Sequence, residues 1–250
     1  MEAGLERGAG SVAAPTPGAP EKAAVRSMFD RIAPRYDLLN RVLSAGIDRR
    51  WRRAAVAFLD AAPGARVLDL CSGTADLLVD VLERGPGRRG VGIDLSPQML
   101  RRGAVKLQAR GLAGRAGLAA GDAERLPLRD ACCDGALVAF GIRNVGDVDA
   151  ALRELRRALR PGARLVVLEF SLPPGLLGRL YRIYFERVLP RLGGLLSGDP
   201  AAYRYLPASV GRFPRPEAFA GALARAGFEG VEWRPLTGGV AVMYRGGRRA

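Results

Sequence analysis

Histidine is absent from all 250 residues, which removes the commonest general base and the commonest metal ligand. Any proton transfer must fall to Asp, Glu, Tyr, Cys, a water held by arginine, or the substrate itself. Cysteine is scarce and odd in number. Cys71, Cys132 and Cys133 lack the paired spacing of a zinc site, and the two adjacent thiols are poorly placed to bridge each other, so buried free thiols and no metal are expected. Long apolar runs are missing too: nothing reaches the roughly 18 residues that a membrane span needs. The N-terminus has no basic segment followed by an apolar one, so export is not indicated and a cytoplasmic location is expected. Lysine is nearly absent, Lys22 and Lys106 being the only two.

Arginine is present in excess, and the formal charge is +14. Such a charge suits an anionic partner, either a nucleic acid or an anionic membrane surface. A coding bias toward Arg, Ala, Gly and Pro yields the same composition, so charge alone does not choose. A hydrophobic content of 48% over this length sustains one α/β domain of full size. Residues 1–20, rich in Gly, Ala and Pro with Ser and Thr and without periodicity, read as a disordered tail, leaving 21–250 as a single domain.

Two stretches organise that domain. Arg66-Val-Leu-Asp-Leu-Cys-Ser-Gly-Thr-Ala-Asp76 starts as an apolar run of strand length, is punctuated by Gly73, and opens the helical pattern Leu77, Leu78, Val81, Leu82 at Asp76. Strand, tight loop and helix in an open α/β sheet place the loop at the strand's carboxyl end, where ligands bind, and Gly73 lets the backbone approach one closely. The second stretch, Gly90-Val-Gly-Ile-Asp94, ends in an acid 21 residues beyond Gly73. An acid about 20 residues past such a turn is where a ribose diol is held, because one carboxylate accepts from both hydroxyls. A pyrophosphate turn requires glycines where this chain has Ala75 and Leu78, so NAD is disfavoured. S-adenosylmethionine keeps the adenosine without phosphate and suits a looser turn with acids around it. A purely structural turn that binds no nucleotide stays open at this point.

The rest of the chain alternates. Two helices broken at Pro34 and a third over Trp51–Leu59 precede the first strand, and a helix runs from Pro97 to Arg110. Further strands are expected over 117–121, 134–140 and 164–170, with a helix over 147–159 that ends at Pro161-Gly162. After an insertion at 172–212 come a helix over 216–226 and two strands, 230–234 and 239–244, whose short link makes that pair antiparallel.

At this level the chain resembles the ubiquinone/menaquinone biosynthesis C-methyltransferases of the UbiE/MenG type. The resemblance runs from about residue 22 to 246 on Met28-Phe-Asp-Arg-Ile-Ala-Pro-Arg-Tyr-Asp-Leu-Leu-Asn40, Leu43-Ser-Ala-Gly46 with Trp51, and Val67 to Asp76. It continues on Phe140-Gly-Ile-Arg-Asn-Val145, Leu168-Glu-Phe-Ser171, Tyr203-Arg-Tyr-Leu206, Arg212-Phe-Pro214 and Leu236-Thr-Gly-Gly239. It implies a Rossmann-like α/β fold: a seven-stranded, mostly parallel sheet with an antiparallel last strand, N-terminal helices and a helical insertion after strand five. Residues 21–60 and 172–212 would be helical cap elements. It also implies S-adenosyl-L-methionine as cofactor, with Asp69, Gly73, Thr74, Asp94, Asp122 and Ala123 around it. The implied reaction is C-methylation of a reduced, prenylated quinone, demethylmenaquinol first and the benzoquinol precursor of ubiquinone second. Three positions depart from the family pattern: Ala75 stands where glycine is usual, Asp48 where histidine is, and Ala139 where serine often is.

Methyl transfer is an in-line displacement, so the protein must hold the acceptor carbon opposite the methyl group and exclude water. A ring carbon becomes nucleophilic when a neighbouring hydroxyl loses its proton, and a cation near that oxygen favours the phenolate. Arg143 is the catalytic candidate for that cation, against a structural salt bridge with Asp147 or Glu169. Asp37, Asn144 and Tyr203 are candidates for lining the acceptor pocket, against ordinary packing or capping. Over 176–189 a helix would gather Leu177, Leu180, Tyr181, Tyr184 and Val188 on one face and Arg179, Arg182 and Glu186 on the other. That stripe fits peripheral contact with an anionic leaflet at the inner face of the membrane, though such stripes more often pack on a core or on a second copy of the chain, as in a homodimer. Two other classes compete. A nucleic-acid methyltransferase fits the charge, but no aromatic-interleaved basic platform or base-flipping loop is present, so no nucleic-acid partner is expected. An inactive cofactor-binding scaffold is favoured only by Ala75 and Ala139.

Overall fold

The apolar run Val67–Leu70 pairs on both sides, with Gly90–Ile93 and Gly135–Val138, and so sits in the interior of the sheet. This is a computed structural model, describing residues 21–184, 187 and 200–250, with backbone only at 43, 177, 180 and 200–204. The expected tail at 1–20 lies outside the described residues, as do Glu186 and Val188 of the expected amphipathic face. The strands are β1 (Arg66–Leu70), β2 (Arg89–Asp94), β3 (Ala116–Ala120), β4 (Cys133–Ala139), β5 (Leu159–Phe170), β6 (Phe228–Leu236) and β7 (Ala241–Arg248). Their spatial order is β3-β2-β1-β4-β5-β7-β6. β7 alone runs opposite to the other six strands, as the short 237–240 link requires.

Leu165, Val166, Val167 and Leu168 in β5 are all fully buried, because helices cover both faces of the parallel sheet. One face packs on α6 (Val148–Ala158) and α9 (Pro216–Arg225) through Leu152, Leu155, Phe219 and Leu223. The other packs on α3 (Ile47–Leu59) and α4 (Asp76–Arg84) through Trp51, Val56, Leu59, Leu77 and Val81. Helices α1 (Lys22–Ile32) and α2 (Tyr36–Leu43) meet α5 (Pro97–Ala109) and α8 (Pro200–Arg212) in a separate cluster of Met28, Ile32, Leu39, Met99 and Val210. Part of the expected insertion forms α7 (Gly175–Ile183).

Most strands differ by a few residues at their ends from the sequence expectation, the last one running over Ala241–Arg248 where 239–244 was expected, and two further differences have a local cause. Strand β5 begins at Leu159 and passes through Pro161-Gly162, where Gly162 takes φ +78° and the register with β4 shifts. The turn residues therefore make an irregularity in a strand, where a break was expected. Helix α3 begins at Ile47, four residues before Trp51, because Gly46 adopts a left-handed conformation that no strand or loop signal nearby announces.

Candidate active site

Below α1, the carboxyl ends of β1 to β4 open into a cavity with about 740 Å³ of empty space, part of it open to solvent. Its floor is the β1–α4 loop. Cys71, Gly73 and Ala75 take φ of +57°, +53° and +63°, a tight turn anchored by Ser72 N–H on Ile93 O (3.1 Å) and Ala75 N–H on Ser72 O (2.8 Å). Asp94 takes the N–H of Gly73 on Oδ2 and that of Ser96 on Oδ1, both at 2.8 Å. Each oxygen keeps acceptor capacity for a ligand hydroxyl. Burial pushes the Asp94 carboxyl above its usual range, against the pull of those two N–H groups. Across the cavity lie Gly121, Asp122, Ala123 and Glu124 after β3. Lys22 Nζ reaches them from α1, 2.6 Å from Asp122 Oδ2 and 2.6 Å from Glu124 Oε2. Burial pulls its ammonium down, but the two hydrogen bonds outweigh that and hold it above the ordinary lysine value. Further along α1, Asp30 Oδ1 accepts from Ser96 Oγ at 2.5 Å, so the helix is tied to the loops after both β2 and β3.

A second and larger cavity, with about 1340 Å³ of empty space, adjoins the first. Phe29, Tyr36 and Phe140 line both, and so form the wall that the two share. The lining of the second cavity is aromatic: Phe140 and Phe170 lie 4.4 Å apart between centroids, with Trp51 6.1 and 6.2 Å from them. Phe140 holds φ +58°, and the following Gly141 lies so close to the β1 loop that a Cβ there would come within 2.2 Å of Cys71 Cβ. The turns after β1 and β4 therefore press together only because position 141 has no side chain.

Arg143 follows in the single 3-10 turn Ile142–Asn144 and lines this second cavity. Its Nη1 donates to Phe140 O and, at 2.7 Å, to Glu169 Oε1, while Nε donates to Ser209 Oγ at 3.3 Å. Among the described residues Nη2 has no acceptor. Burial pushes the fully enclosed Glu169 carboxyl up, and Arg143 pulls it back. Beside this pair, Tyr205 donates to Asn144 Oδ1 at 3.1 Å. Behind the β1–α4 loop runs a network of acids and cations. Thr74 Oγ1 donates to Asp37 Oδ1 (2.5 Å) and accepts from Lys106 Nζ (3.0 Å), and Lys106 also pairs with Asp37 Oδ2 at 2.7 Å and with Asp76. Arg52 extends it, 3.1 Å from Asp76 Oδ2 and 2.6 Å from Asp48 Oδ2. Burial pushes Asp76 up, but Arg52 and Lys106 more than compensate and hold it below the usual carboxylate value.

A family model described as the ubiE/COQ5 methyltransferase family matches residues 18–248. The chain belongs to that family. A demethylmenaquinone methyltransferase of Thermus thermophilus is 53% identical over 223 residues, covering 88% of this chain and all of that one. A ubiquinone/menaquinone biosynthesis C-methyltransferase UbiE of Syntrophotalea carbinolica is 52% identical, covering 89% and 93%. Solved structures share the fold. A SAM-dependent methyltransferase from Thermotoga maritima superposes with a TM-score of 0.64 at 22% identity, over 90% of this chain and 100% of that one. The [4+2]-cyclase SpnF does so with a TM-score of 0.72 at 19% identity, over 93% and 98%. That a cyclase shares the fold means that the chemistry must be argued from the site.

Within this methyltransferase, Gly73, Asp94, Asp122, Ala123 and Asn144 line the first cavity and Arg143 the second. Asp69, Thr74 and Asp37 line neither. Asp69 is buried, and burial, then the charge of Asp94, pushes its carboxyl well above the ordinary range; Thr74 and Asp37 brace the loop from behind. Tyr203 lies on α8 with its side chain outside the described part. Ala75 does not narrow the cavity: its methyl points at α5, where a Cβ on Gly103 would come within 3.1 Å of it. Sequence reasoning missed Tyr36, Phe29, Lys22 and Asp48. The alternation of Phe29, Ile32 and Tyr36 looks like any core-facing stripe, and the salt bridge weighed for Arg143 is formed, to Glu169.

Proposed function

We propose that the first cavity holds S-adenosyl-L-methionine and the second a reduced, demethylated quinone, whose ring carbon is methylated across the Phe29–Tyr36–Phe140 wall. The observation that carries this reading is the shared wall, because in-line transfer requires donor and acceptor to meet at one opening. The donor set fits the cofactor. Asp94 retains acceptor capacity for a diol, Asp122 can accept from an exocyclic amine, and the two cations lining the cavity, Lys22 and Arg26, are paired with Asp122, Glu124 and Asp30, which disfavours a pyrophosphate. Bound there, the sulfonium would supply an electrophilic methyl group. The chain's own residues do the rest. Asp94 and the Gly73 turn position the ribose, the aromatic wall excludes water, and Arg143 offers Nη2 toward the oxygen that carries the phenolate. With Glu169 neutralising most of its charge, Arg143 acts mainly as a fixed hydrogen-bond donor.

The names borne by the Thermus and Syntrophotalea relatives support a quinone acceptor, demethylmenaquinol before the ubiquinone precursor. Anaerobic incubation with methyl-labelled cofactor and either quinol, followed by separation of the lipids, tests it. Label in the naphthoquinol product is expected, and label in neither lipid would refute the reading.

A further inference from the structure

The second cavity carries polar groups of opposite hydrogen-bonding sense on different walls. Arg143, after β4, can only donate. At the corner between α2 and α3, the Ser44 hydroxyl donates to Asp48 Oδ1 at 2.6 Å, and its oxygen accepts from Gly46 N–H at 3.1 Å. Its proton is therefore committed, and the remaining capacity of Ser44 is that of an acceptor. Asp48, 5% exposed, is held in turn by Arg52, 2.6 Å from Oδ2. Arg52 lies 2.6, 3.1 and 3.8 Å from Asp48, Asp76 and Asp80, and its Nε, which makes no hydrogen bond, is buried out of a ligand's reach. The neighbouring indole of Trp51 is likewise committed, to Thr237 Oγ1 at 2.9 Å. Ser44, Asp48, Arg52, Trp51 and Arg143 all line this one cavity.

We propose that Ser44, fixed by Asp48, is the hydroxyl-accepting end of the acceptor site and gives this enzyme its preference for the reduced ring over the oxidised dione. The inference rests on the function proposed above. A ring with a phenolate at one oxygen and a hydroxyl at the other satisfies both walls, the phenolate accepting from Arg143 and the hydroxyl donating to Ser44. A dione presents two acceptors, so its second carbonyl meets the lone pair of Ser44 and both are left without a proton. Sites built to accept from a substrate hydroxyl reject analogues that lack it more sharply than apolar pockets reject a misfit. Asp48 is a positioning residue here, since it acts through Ser44.

The test measures anaerobic binding of 1,4-naphthohydroquinone and 1,4-naphthoquinone by quenching of tryptophan fluorescence, with S-adenosylhomocysteine present. Wild type, Ser44→Ala, Ser44→Thr and Asp48→Asn are compared. Wild type is expected to favour the hydroquinone by about tenfold or more, the range for one hydrogen bond at a buried polar group. In Ser44→Ala the ratio should fall toward unity, with S-adenosylhomocysteine affinity unchanged, and Ser44→Thr should restore it. In Asp48→Asn the carboxamide donates to Ser44 and turns the serine proton toward the ligand, so binding of the dione should strengthen. Ser44→Ala keeps the test decisive should Asp48→Asn, which disturbs a buried ion pair, fail to fold. A wild-type ratio retained in Ser44→Ala, with quinol methylation intact, overturns the inference while the proposed function stands. No methyl transfer to any quinol by wild type overturns both.

Discussion

Arg143 is held on three sides by protein oxygens, and its partner Glu169 is fully buried, so the side chain has a structural duty as well as the proposed chemical one. Removing the cation alone leaves a buried carboxylate unpaired, at a cost of about 3–5 kcal/mol for breaking such a pair. Arg143→Gln should therefore unfold at lower denaturant than wild type, whereas Arg143→Gln/Glu169→Gln should recover most of that stability. Turnover separates the roles: if Arg143 only supports the fold, the double variant recovers activity too, and if it serves the phenolate, activity stays low. Asp94 gives a pH dependence of defined sign. Burial raises its carboxyl, so the folded protein holds that proton more tightly than the unfolded chain. Its contribution to stability then grows as pH falls from above the raised value toward the ordinary 3.8. Gripping a diol requires the carboxylate, so cofactor affinity should move the other way and weaken as pH falls through the raised value. Calorimetry with S-adenosylhomocysteine over a pH series descending from 7.5 should show that loss in wild type and not in Asp94→Asn. An equal loss in both would assign the titration to another group. At neutral pH, Asp94→Ala should cost about 1.5–3 kcal/mol of binding, the range for hydrogen bonds to a charged group. Asp94 was legible in the sequence because a strand, a turn and a fixed spacing are local properties. Asp48 was not, since nothing local to Ile47-Asp-Arg tells whether that acid faces water or a cavity closed by residues far along the chain.

Elements were more legible than the surfaces they enclose. The periodicity that places Tyr181 and Tyr184 on one face of the insertion is real, but a stripe facing a cavity, a core or a lipid has the same period. Here the two rings line the second cavity, while Leu176 and Ile183 are 71% and 50% exposed. Turn conformation was less legible still. Ala75 reads as a departure that crowds a ligand, yet its methyl is buried toward α5, and its left-handed backbone is what glycine would adopt freely. Ala75→Gly exchanges relief of about 1 kcal/mol of backbone strain for the loss of a buried methyl worth about 0.8 kcal/mol. Stability and cofactor affinity should both stay close to wild type, and a loss above about 2 kcal/mol would mean that the methyl packs more tightly than its burial implies. Gly141→Ala should be far worse, because the new Cβ would lie 2.2 Å from Cys71 Cβ and both turns would have to move. A drop of at least about 1–3 kcal/mol in unfolding free energy is expected, with weaker cofactor binding.

At the scale of the molecule, no helix among the described residues is long and apolar enough to cross a membrane, whereas the proposed acceptor carries a prenyl tail. Leu38 and Val42 on α2 are 57% and 50% exposed, and both α2 and α7 border the second cavity. With a net charge of +14, contact between this rim and an anionic leaflet is the arrangement we propose for delivery of the acceptor. Sedimentation with anionic vesicles should be strong at low salt and fall with added salt, and Leu38→Asp/Val42→Asp should reduce it without changing the fold. Binding that is equal for neutral and anionic vesicles would remove charge from that picture. The central claim, that a methyl group crosses the Phe29–Tyr36–Phe140 wall onto a reduced ring, is tested most directly by a single anaerobic turnover. Methyl-deuterated S-adenosylmethionine is mixed with demethylmenaquinol or with its oxidised form, and the lipid is analysed by mass spectrometry. The deuterated methyl should appear on a ring carbon of the quinol and be absent from the oxidised lipid; a methyl on oxygen, or equal labelling of both redox forms, would contradict it.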